Sequence, residues 1–306
     1  MTDITTRRID ANGLTFEVDE LLPAEGPADR LALCLHGFPE SKFSWRFQMP
    51  LLASLGYRVW APNQRGYGAS SRPKGVAAYD IDHLVADVEA LIAASGTRET
   101  LLIAHDWGAI VAWHAAMRKI KTLTRLVIMN VPHPVRFMEE IATNKAQRRK
   151  SWYVAFFQIP WLPEWSLRRR GAKAIGDVFV NMAVDKSRFP DDVQAHYRAN
   201  ALIPGALTAM INWYRAARKA GRAKMAPEQN RVEVPTLMIW GEEDSALDKS
   251  LVAGTERFVP DLTVRFLPGV SHWVQQEAPE TVNTMLQAWL SGAPVPEAPP
   301  APVKSG

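Results

Sequence analysis

Short apolar runs rich in β-branched and aromatic residues recur at 31–35, 58–61, 101–104, 126–129, 236–240 and 264–267, with stretches of helical period such as 83–94, 107–119 and 279–290 between them. Strands alternating with helices of this length predict an α/β fold, a mostly parallel sheet covered on both faces. Ahead of the first run, Ile9-Asp10-Ala11-Asn12-Gly13-Leu14-Thr15-Phe16-Glu17-Val18 holds two alternating segments around Asn-Gly, which predicts a hairpin at the sheet edge. The alternation stops between about Pro132 and Val234, where the chain reads as helical, rich in Trp, Phe and Arg, and punctuated by Pro160, Pro163, Pro190 and Pro204. A helical segment inserted between two sheet strands predicts a cap, and the cleft beneath such a unit is a common ligand site. The expected division is a core over 1–133 and 233–292, a helical cap over 134–232, and a flexible Pro-rich tail over 293–306.

By length alone, 306 residues would make about two domains, and the pattern turns these into one core with an insertion. A composition of 47% hydrophobic and 22% charged residues is a poor fit to disordered, collagen-like or membrane classes. No apolar run approaches ~18 residues, and the first eight residues carry no apolar segment behind their charges, so a cytoplasmic protein without a membrane partner is expected. The single cysteine, Cys34, rules out a disulfide scaffold and, inside the run Leu31-Ala32-Leu33-Cys34-Leu35, reads as a small buried hydrophobe rather than a nucleophile. The net charge of +4 is unevenly spread: residues 134–232 hold 18 Lys+Arg against 8 Asp+Glu, a net of +10, which leaves −6 for the rest. The runs Arg148-Arg149-Lys150 and Arg168-Arg169-Arg170 could attract phosphates or anionic lipid. No zinc-knuckle, helix-turn-helix or RNP-type pattern accompanies them, so they read as solvated helix faces and no nucleic-acid partner is expected.

The stretch Leu101-Leu102-Ile103-Ala104-His105-Asp106-Trp107-Gly108-Ala109-Ile110 runs strand, small residue, X, polar residue, X, Gly, helix. That is the form of the nucleophile elbow of the α/β-hydrolases, with Asp106 where a serine usually stands. Small residues at Ala104, Gly108 and Ala109 let strand and helix approach while the elbow side chain is pushed out of the sheet. At a helix N-terminus the dipole and free N–H groups favour an anion, so Asp106 stays ionised and needs no base to activate it. Helix capping alone would account for an Asp here, but two further parts follow in the order this fold uses. After 236–240 comes Gly241-Glu242-Glu243-Asp244-Ser245, with Asp244 as the acid, and after 264–267 comes Pro268-Gly269-Val270-Ser271-His272-Trp273, with His272 as the base. The early loop Leu35-His36-Gly37-Phe38-Pro39 offers the N–H of Phe38, which with that of Trp107 makes an oxyanion hole. The Gly-rich stretch 63–70 lacks the Lys and spacing of a phosphate loop and reads as a structural turn.

Aspartate in place of serine selects the substrate. A serine attacking an sp3 carbon would leave an ether with no carbonyl for water to attack, whereas a carboxylate leaves an ester. Water activated by His272, with Asp244 orienting the imidazole, can hydrolyse that ester. Epoxides, haloalkanes and haloacids fit such a nucleophile. A halide leaves with the help of weak N–H donors, but an epoxide oxygen leaves as an alkoxide and needs an acid. Tyrosine suits this, since with a pKa of ~10 it stays protonated at neutral pH and can still donate. Two of the six tyrosines lie in the cap among aromatic neighbours, Tyr153 in Ser151-Trp152-Tyr153-Val154-Ala155-Phe156-Phe157-Gln158-Ile159-Pro160 and Tyr214 in Ile211-Asn212-Trp213-Tyr214-Arg215.

With these motifs the sequence resembles the α/β-hydrolase-fold epoxide hydrolases, in which Tyr-x-x-x-Phe-Gln-x-Pro and Asn-Trp-Tyr-Arg each bring a ring-opening tyrosine from the cap. The resemblance implies that Tyr153 and Tyr214 are the acid pair. It also implies that the product is a vicinal diol formed through an ester on Asp106, that no metal or organic cofactor takes part, and that the partners are a small apolar epoxide and water. His36-Gly37-Phe38-Pro39, Arg65-Gly66-Tyr67-Gly68 and His105-Asp106-Trp107-Gly108 match as well, so the resemblance spans roughly residues 5–292. Asn63 stands where an Asp is common and Ala104 where a Gly is common, and neither position does chemistry. The His-Gly-x-Pro loop of the family often holds a cis bond, which here would be Phe38-Pro39. Haloalkane dehalogenases share the Asp elbow but usually carry a halide-binding Asn or Glu where Phe38 stands and lack the tyrosine pair. Fluoroacetate dehalogenases tend to read His-Asp-Arg-Gly, where this chain has Trp107. Relatives with their acid after an earlier strand would need it at Asn130, which leaves Asp244. A non-catalytic binding protein of this fold predicts that one of Asp106, His272, Asp244, Tyr153 and Tyr214 is missing, and all five are present. A monomer and a homodimer are both compatible with these motifs.

Overall fold

The computed structural model describes residues 3–23, 25–219 and 230–301. Eight strands form one sheet in the order β1-β2-β4-β3-β5-β6-β7-β8. They are β1 (Thr5–Ala11), β2 (Leu14–Leu21), β3 (Arg30–Leu35), β4 (Arg58–Pro62), β5 (Glu99–His105), β6 (Leu123–Met129), β7 (Thr236–Gly241) and β8 (Leu262–Leu267). β1 and β2 make the antiparallel edge hairpin, its turn formed by Asn12 and Gly13 at φ of 50° and 69°. A tight hairpin turn of the primed type requires both residues in that left-handed region, which is why Asn-Gly is read so reliably. β2 also pairs antiparallel with β4, and the pairs from β4 through β8 are all parallel.

The helices follow as α1 (Met49–Ser54), α2 (Ile81–Ser95), α3 (Asp106–Met117), α4 (Pro134–Thr143), α5 (Lys145–Lys150), α6 (Trp152–Phe156), α7 (Leu162–Met182), α8 (Asp191–Leu202), α9 (Ala206–Lys219), α10 (Val274–Glu277) and α11 (Pro279–Leu290). Both sheet faces are covered, so the central strands are buried along their whole length and alternate residues serve opposite cores. On β5, Leu102 and Ala104 pack with α2 and α3, while Leu101 and Ile103 pack with α1 and α11. Cys34 belongs to the second core, where burial pushes its thiol far up and makes it inert. Truncating a fully buried side chain such as Ile103 to Ala would cost about 2–5 kcal/mol.

The chain passes from β3 to β4 and then back over β3 to β5, so the strand order reverses between β3 and β5. The crevice at the carboxyl ends of those two strands is where an open α/β sheet can gather side chains from separate loops. Helices α4 to α9 all lie between β6 and β7 in the chain. Within α7 the helix is broken: Arg169 is extended, and Arg170, Gly171 and Ala172 have φ of 52°, 63° and 55°, which leaves two arms.

The Pro-rich segment differs from the free tail expected from Ala293 onward. Val295 is buried in the core beside α11, and the Arg265 guanidinium on β8 donates to the carbonyls of Val295 (2.6 Å) and Pro296 (3.1 Å). Proline cannot donate a backbone hydrogen bond, but its carbonyl accepts, and the docking adds an ion pair of Arg265 with Glu297 (3.4 Å) and the packing of Ala298 against the same core. Residues 302–306 of that segment lie outside the described residues. Among the described residues no helix is long and apolar enough to cross a membrane.

Candidate active site

β5 ends at His105 in extended backbone, and the chain enters α3 through Asp106 at a φ of 47°. A non-glycine residue seldom holds this left-handed value, and here it turns the Asp106 carboxylate out of the sheet into the crevice at the start of α3. Two glycines make room for the turn. A Cβ on Gly37 would collide with the Asp106 side chain, and one on Gly108 would collide with the Leu35 carbonyl.

In the crevice the Phe38 N–H donates to Asp106 Oδ1 at 2.6 Å, and His272 Nε2 stands 3.4 Å from Asp106 Oδ2. The N–H of Trp107 belongs to the first turn of α3, where no intrahelical acceptor is available to it. His272 Nδ1 lies 2.6 Å from Asp244 Oδ2. Asp244 is buried and well supplied with donors: Asn130 Nδ2 reaches Oδ2 at 2.7 Å, and the N–H groups of Ala246 and Leu247 reach Oδ1 at 2.7 and 2.9 Å. Phe38-Pro39 is a cis peptide.

The electrostatics follow from this packing. Burial works against a charge on Asp106, but the hydrogen bond and charge of His272, the charge of His105 and the Phe38 N–H outweigh it and hold the carboxyl below its usual range. Asp244 is held low in the same way, burial being outweighed by His272, Asn130 and the Leu247 N–H. His272 is also penalised by burial, yet the Asp244 and Asp106 carboxylates on its two nitrogens raise it to about 10. The resting site is therefore a buried imidazolium between two carboxylates.

Tyr153 on α6 and Tyr214 on α9 have ring centroids 6.0 Å apart, and both line one cavity with Asp106 and His272. Burial and the Asp106 charge push both phenols well above their ordinary value, so both keep their protons. The two helices are held together by their motifs' own polar residues. Gln158 donates to the carbonyls of Val154 and Tyr214, and Arg215 donates to those of Phe157 (3.0 Å) and Ile159 (2.9 Å) while pairing with Glu164 at 2.6 Å. The cavity measures about 290 Å³, and Phe157, Ile175, Val178 and Met182 add apolar wall. Of the cap aromatics, Trp152 also lines it, whereas Trp213 is buried elsewhere and donates to the Arg65 carbonyl.

A further set of side chains supports the site without any mark in the sequence pattern. Glu40, fully buried, accepts from the Gly37 N–H (2.7 Å) and faces His105 Nδ1 (2.7 Å), and His105 Nε2 donates to the His272 carbonyl (2.8 Å). Gln275 and Gln276 donate to the other Glu40 oxygen. One buried carboxylate thus braces the loop of Phe38 and, through His105, the loop of His272. Asn130, itself at a φ of 48°, accepts from the Gly241 N–H at 2.9 Å while donating to Asp244. The stretch 63–70 is structural: Arg65 pairs with Asp87 of α2 at 2.6 Å, and Asn63 accepts from the Lys42 N–H.

A carboxylate on a strained strand-to-helix turn, backed by a histidine and a second acid from the ends of β8 and β7, defines an α/β hydrolase with aspartate at the nucleophile position. A family model described as the alpha/beta hydrolase fold matches residues 33–279. The chain is 37% identical over 290 residues to the AB hydrolase superfamily protein YfhM of Bacillus subtilis, covering 95% of this chain and 99% of that one. It is 36% identical to epoxide hydrolase 2 of Caenorhabditis elegans, over 87% of this chain and 76% of that one. The crystal structure of Bacillus megaterium epoxide hydrolase in complex with an inhibitor superposes with a TM-score of 0.84 at 30% identity, covering 93% of this chain and all of the other. The chain belongs to the α/β-hydrolase-fold epoxide hydrolases.

Proposed function

We propose that the protein hydrolyses small apolar epoxides to vicinal diols in the cytoplasm, the core over 1–133 and 233–292 carrying nucleophile and base and the cap over 134–232 carrying the acids. The observation that supports this most is the cavity shared by two protonated tyrosines and one ionised aspartate. A halide leaving group would have no use for two phenols, and an alkoxide requires one.

Asp106 Oδ1 is already bonded to the Phe38 N–H, so Oδ2 is the oxygen that attacks the oxirane carbon. Tyr153 and Tyr214 hold the epoxide oxygen, and one of them donates its proton as the C–O bond breaks. The product of this step is a hydroxyalkyl ester whose carbonyl oxygen is Oδ1, lying between the N–H groups of Phe38 and Trp107. Esterification removes the Asp106 charge, so His272 loses one of the two carboxylates that kept it protonated, and its proton passes through solvent to the tyrosinate left by ring opening, which restores the acid pair. Neutral His272, oriented by Asp244, takes a proton from water. The hydroxide attacks the ester carbonyl, and the two N–H groups stabilise the tetrahedral oxyanion. Collapse releases the diol and restores the carboxylate. The apolar wall admits the substrate and keeps bulk water from the phenols and the ester.

A single turnover in oxygen-18 water tests this. The diol should leave with oxygen from the enzyme, and one heavy oxygen should appear on Asp106 in the peptide digest. Label arriving in the diol wholly from solvent would exclude the ester.

A further inference from the structure

The cap carries a surface the reaction does not use. Trp152, Trp161 and Trp165 are 65%, 73% and 54% exposed, and Ile159 stands exposed between them in the chain. Arg148, Arg149, Arg168, Arg169 and Arg170 are exposed at the two ends of this aromatic stretch. The Arg169 guanidinium lies over the Trp165 ring at 4.6 Å. Among the described residues none of these five arginines pairs with a carboxylate. Several other surface arginines do, Arg98 with Asp29, Arg118 with Asp82, Arg188 with Glu280 and Arg257 with Glu139, while Arg8, Arg218 and Arg231 are exposed singly without such a pair among the described residues. Trp152, next to the first arginine run in the chain, and Leu167, next to the second, line the same cavity.

Exposed tryptophans beside unneutralised arginines call for a partner that is apolar and anionic within a few ångströms. The phospholipid interface has that layering. Indole rings settle at headgroup level, and guanidinium groups bind phosphate in fork geometry. A second copy of the chain would instead set one cationic face against another. We propose that this face of the cap docks on bilayers containing anionic phospholipid, lying on the surface without spanning it. Apolar epoxides partition into the same bilayer, so a cavity lined in part by Trp152 and Leu167 takes its substrate from there. This last clause rests on the epoxide-hydrolase reading, and the docking itself does not.

Flotation of the purified full chain with vesicles tests the docking with no turnover involved, so its failure is distinct from a failure of epoxide hydrolysis. Vesicles of phosphatidylcholine with an equal share of phosphatidylglycerol should carry the protein upward, those of phosphatidylcholine alone should not, and added salt should release it. The triple substitution R168Q/R169Q/R170Q should lower partitioning on the order of a hundredfold, at about fivefold per charge near an anionic surface. Trp161→Ser with Trp165→Ser should weaken binding at every salt concentration. Both variants should hydrolyse water-soluble styrene oxide at the unaltered rate. Equal flotation with both vesicle types, none with either, or binding indifferent to the arginines would overturn the proposal. Retention on a single-stranded oligonucleotide without flotation would assign the face to nucleic acid, and a dimer abolished by the tryptophan changes without flotation would assign it to a second copy; either result refutes lipid docking.

Discussion

In the proposed mechanism the loss of the Asp106 charge turns His272 from a charged partner into a base, and replacing Asp106 by Asn isolates that event. His272 lies 2.6 Å from Asp244 and 3.4 Å from Asp106, and the two carboxylates raise it to about 10 against the cost of burial. An imidazolium cannot take a proton from water. Ester formation deletes the Asp106 charge, and asparagine deletes it permanently with nearly the same shape. Two unit charges at 3.4 Å attract by about 5 kcal/mol at an effective dielectric of ~20, equivalent to roughly three to four pKa units. In Asp106→Asn the imidazole should therefore titrate near ~6 to 7, the range in which a general base works at neutral pH. Its ordinary attachment to Asp244 should persist, since that contact is untouched. Histidine-labelled protein followed by NMR through a pH titration reads this directly, with the wild type as reference. A His272 pKa in the variant within one unit of the wild-type value would refute the reasoning. The nucleophile's charge would then not be what keeps the base protonated.

Tyr153→Phe combined with Tyr214→Phe should abolish ester formation, because the alkoxide would form unprotonated beside a carboxylate; a single-turnover assay retaining the wild-type rate would remove the acid role from the pair. His272→Gln should form the ester and fail to release it, visible as added protein mass equal to one substrate, and diol release at the wild-type rate would show that another group is the base. Asn130→Ala should cost about 2–4 kcal/mol in denaturant unfolding, about 1–3 for leaving the buried Gly241 N–H unpaired and about 1 for an alanine in left-handed backbone; an unchanged midpoint would mean that the Asn130 contacts carry no net stability. Stability should also depend on pH in a stated sense. His272 is raised from 6.5 to about 10, so its contribution is complete below ~6.5 and is lost as pH rises through 10. Asp106 and Asp244 are lowered, so theirs is complete above ~4 and is lost as pH falls through their folded values. Thermal unfolding across pH should show a steeper alkaline decline in the wild type than in His272→Gln, and parallel alkaline limbs would contradict the assignment.

What could be read from the chain alone were features encoded locally. The strand runs, the Asn12-Gly13 turn and the elbow around Asp106 each depend on side-chain size and backbone freedom over a few neighbouring residues, and the two tyrosine motifs are equally compact. The supports that make those residues work are encoded by distance through the fold. Glu40 follows the His-Gly-Phe-Pro loop with nothing to distinguish it from a surface glutamate, and only the fold brings it to Gln275 and Gln276 across 235 and 236 residues. Asn130 reads as the place where an acid is missing, whereas it is the donor that helps keep Asp244 ionised. The docking of Val295 depends on Arg265 thirty residues earlier. The break at Arg170–Ala172 hides in a stretch where nothing sets Gly171 apart from Gly176, which stays helical five residues on.

A single physical requirement connects the legible and illegible parts. Glu40, Asp106 and Asp244 are three carboxylates brought into one poorly hydrated crevice with His105 and His272. Burying a carboxylate is tolerable only when donors reach it, and here each takes at least one backbone N–H: Gly37 for Glu40, Phe38 for Asp106, Ala246 and Leu247 for Asp244. Those N–H groups are free because they lie in loops just past β3 and β7, where the sheet ladder has ended. The short glycine-containing motifs mark where the backbone is left open to donate. Glu40 and Asp244 take N–H groups of their own loops, and Asp106 alone reaches one from across the fold; what hides Glu40 in the chain is that its other partners, His105, Gln275 and Gln276, are brought to it only by the fold.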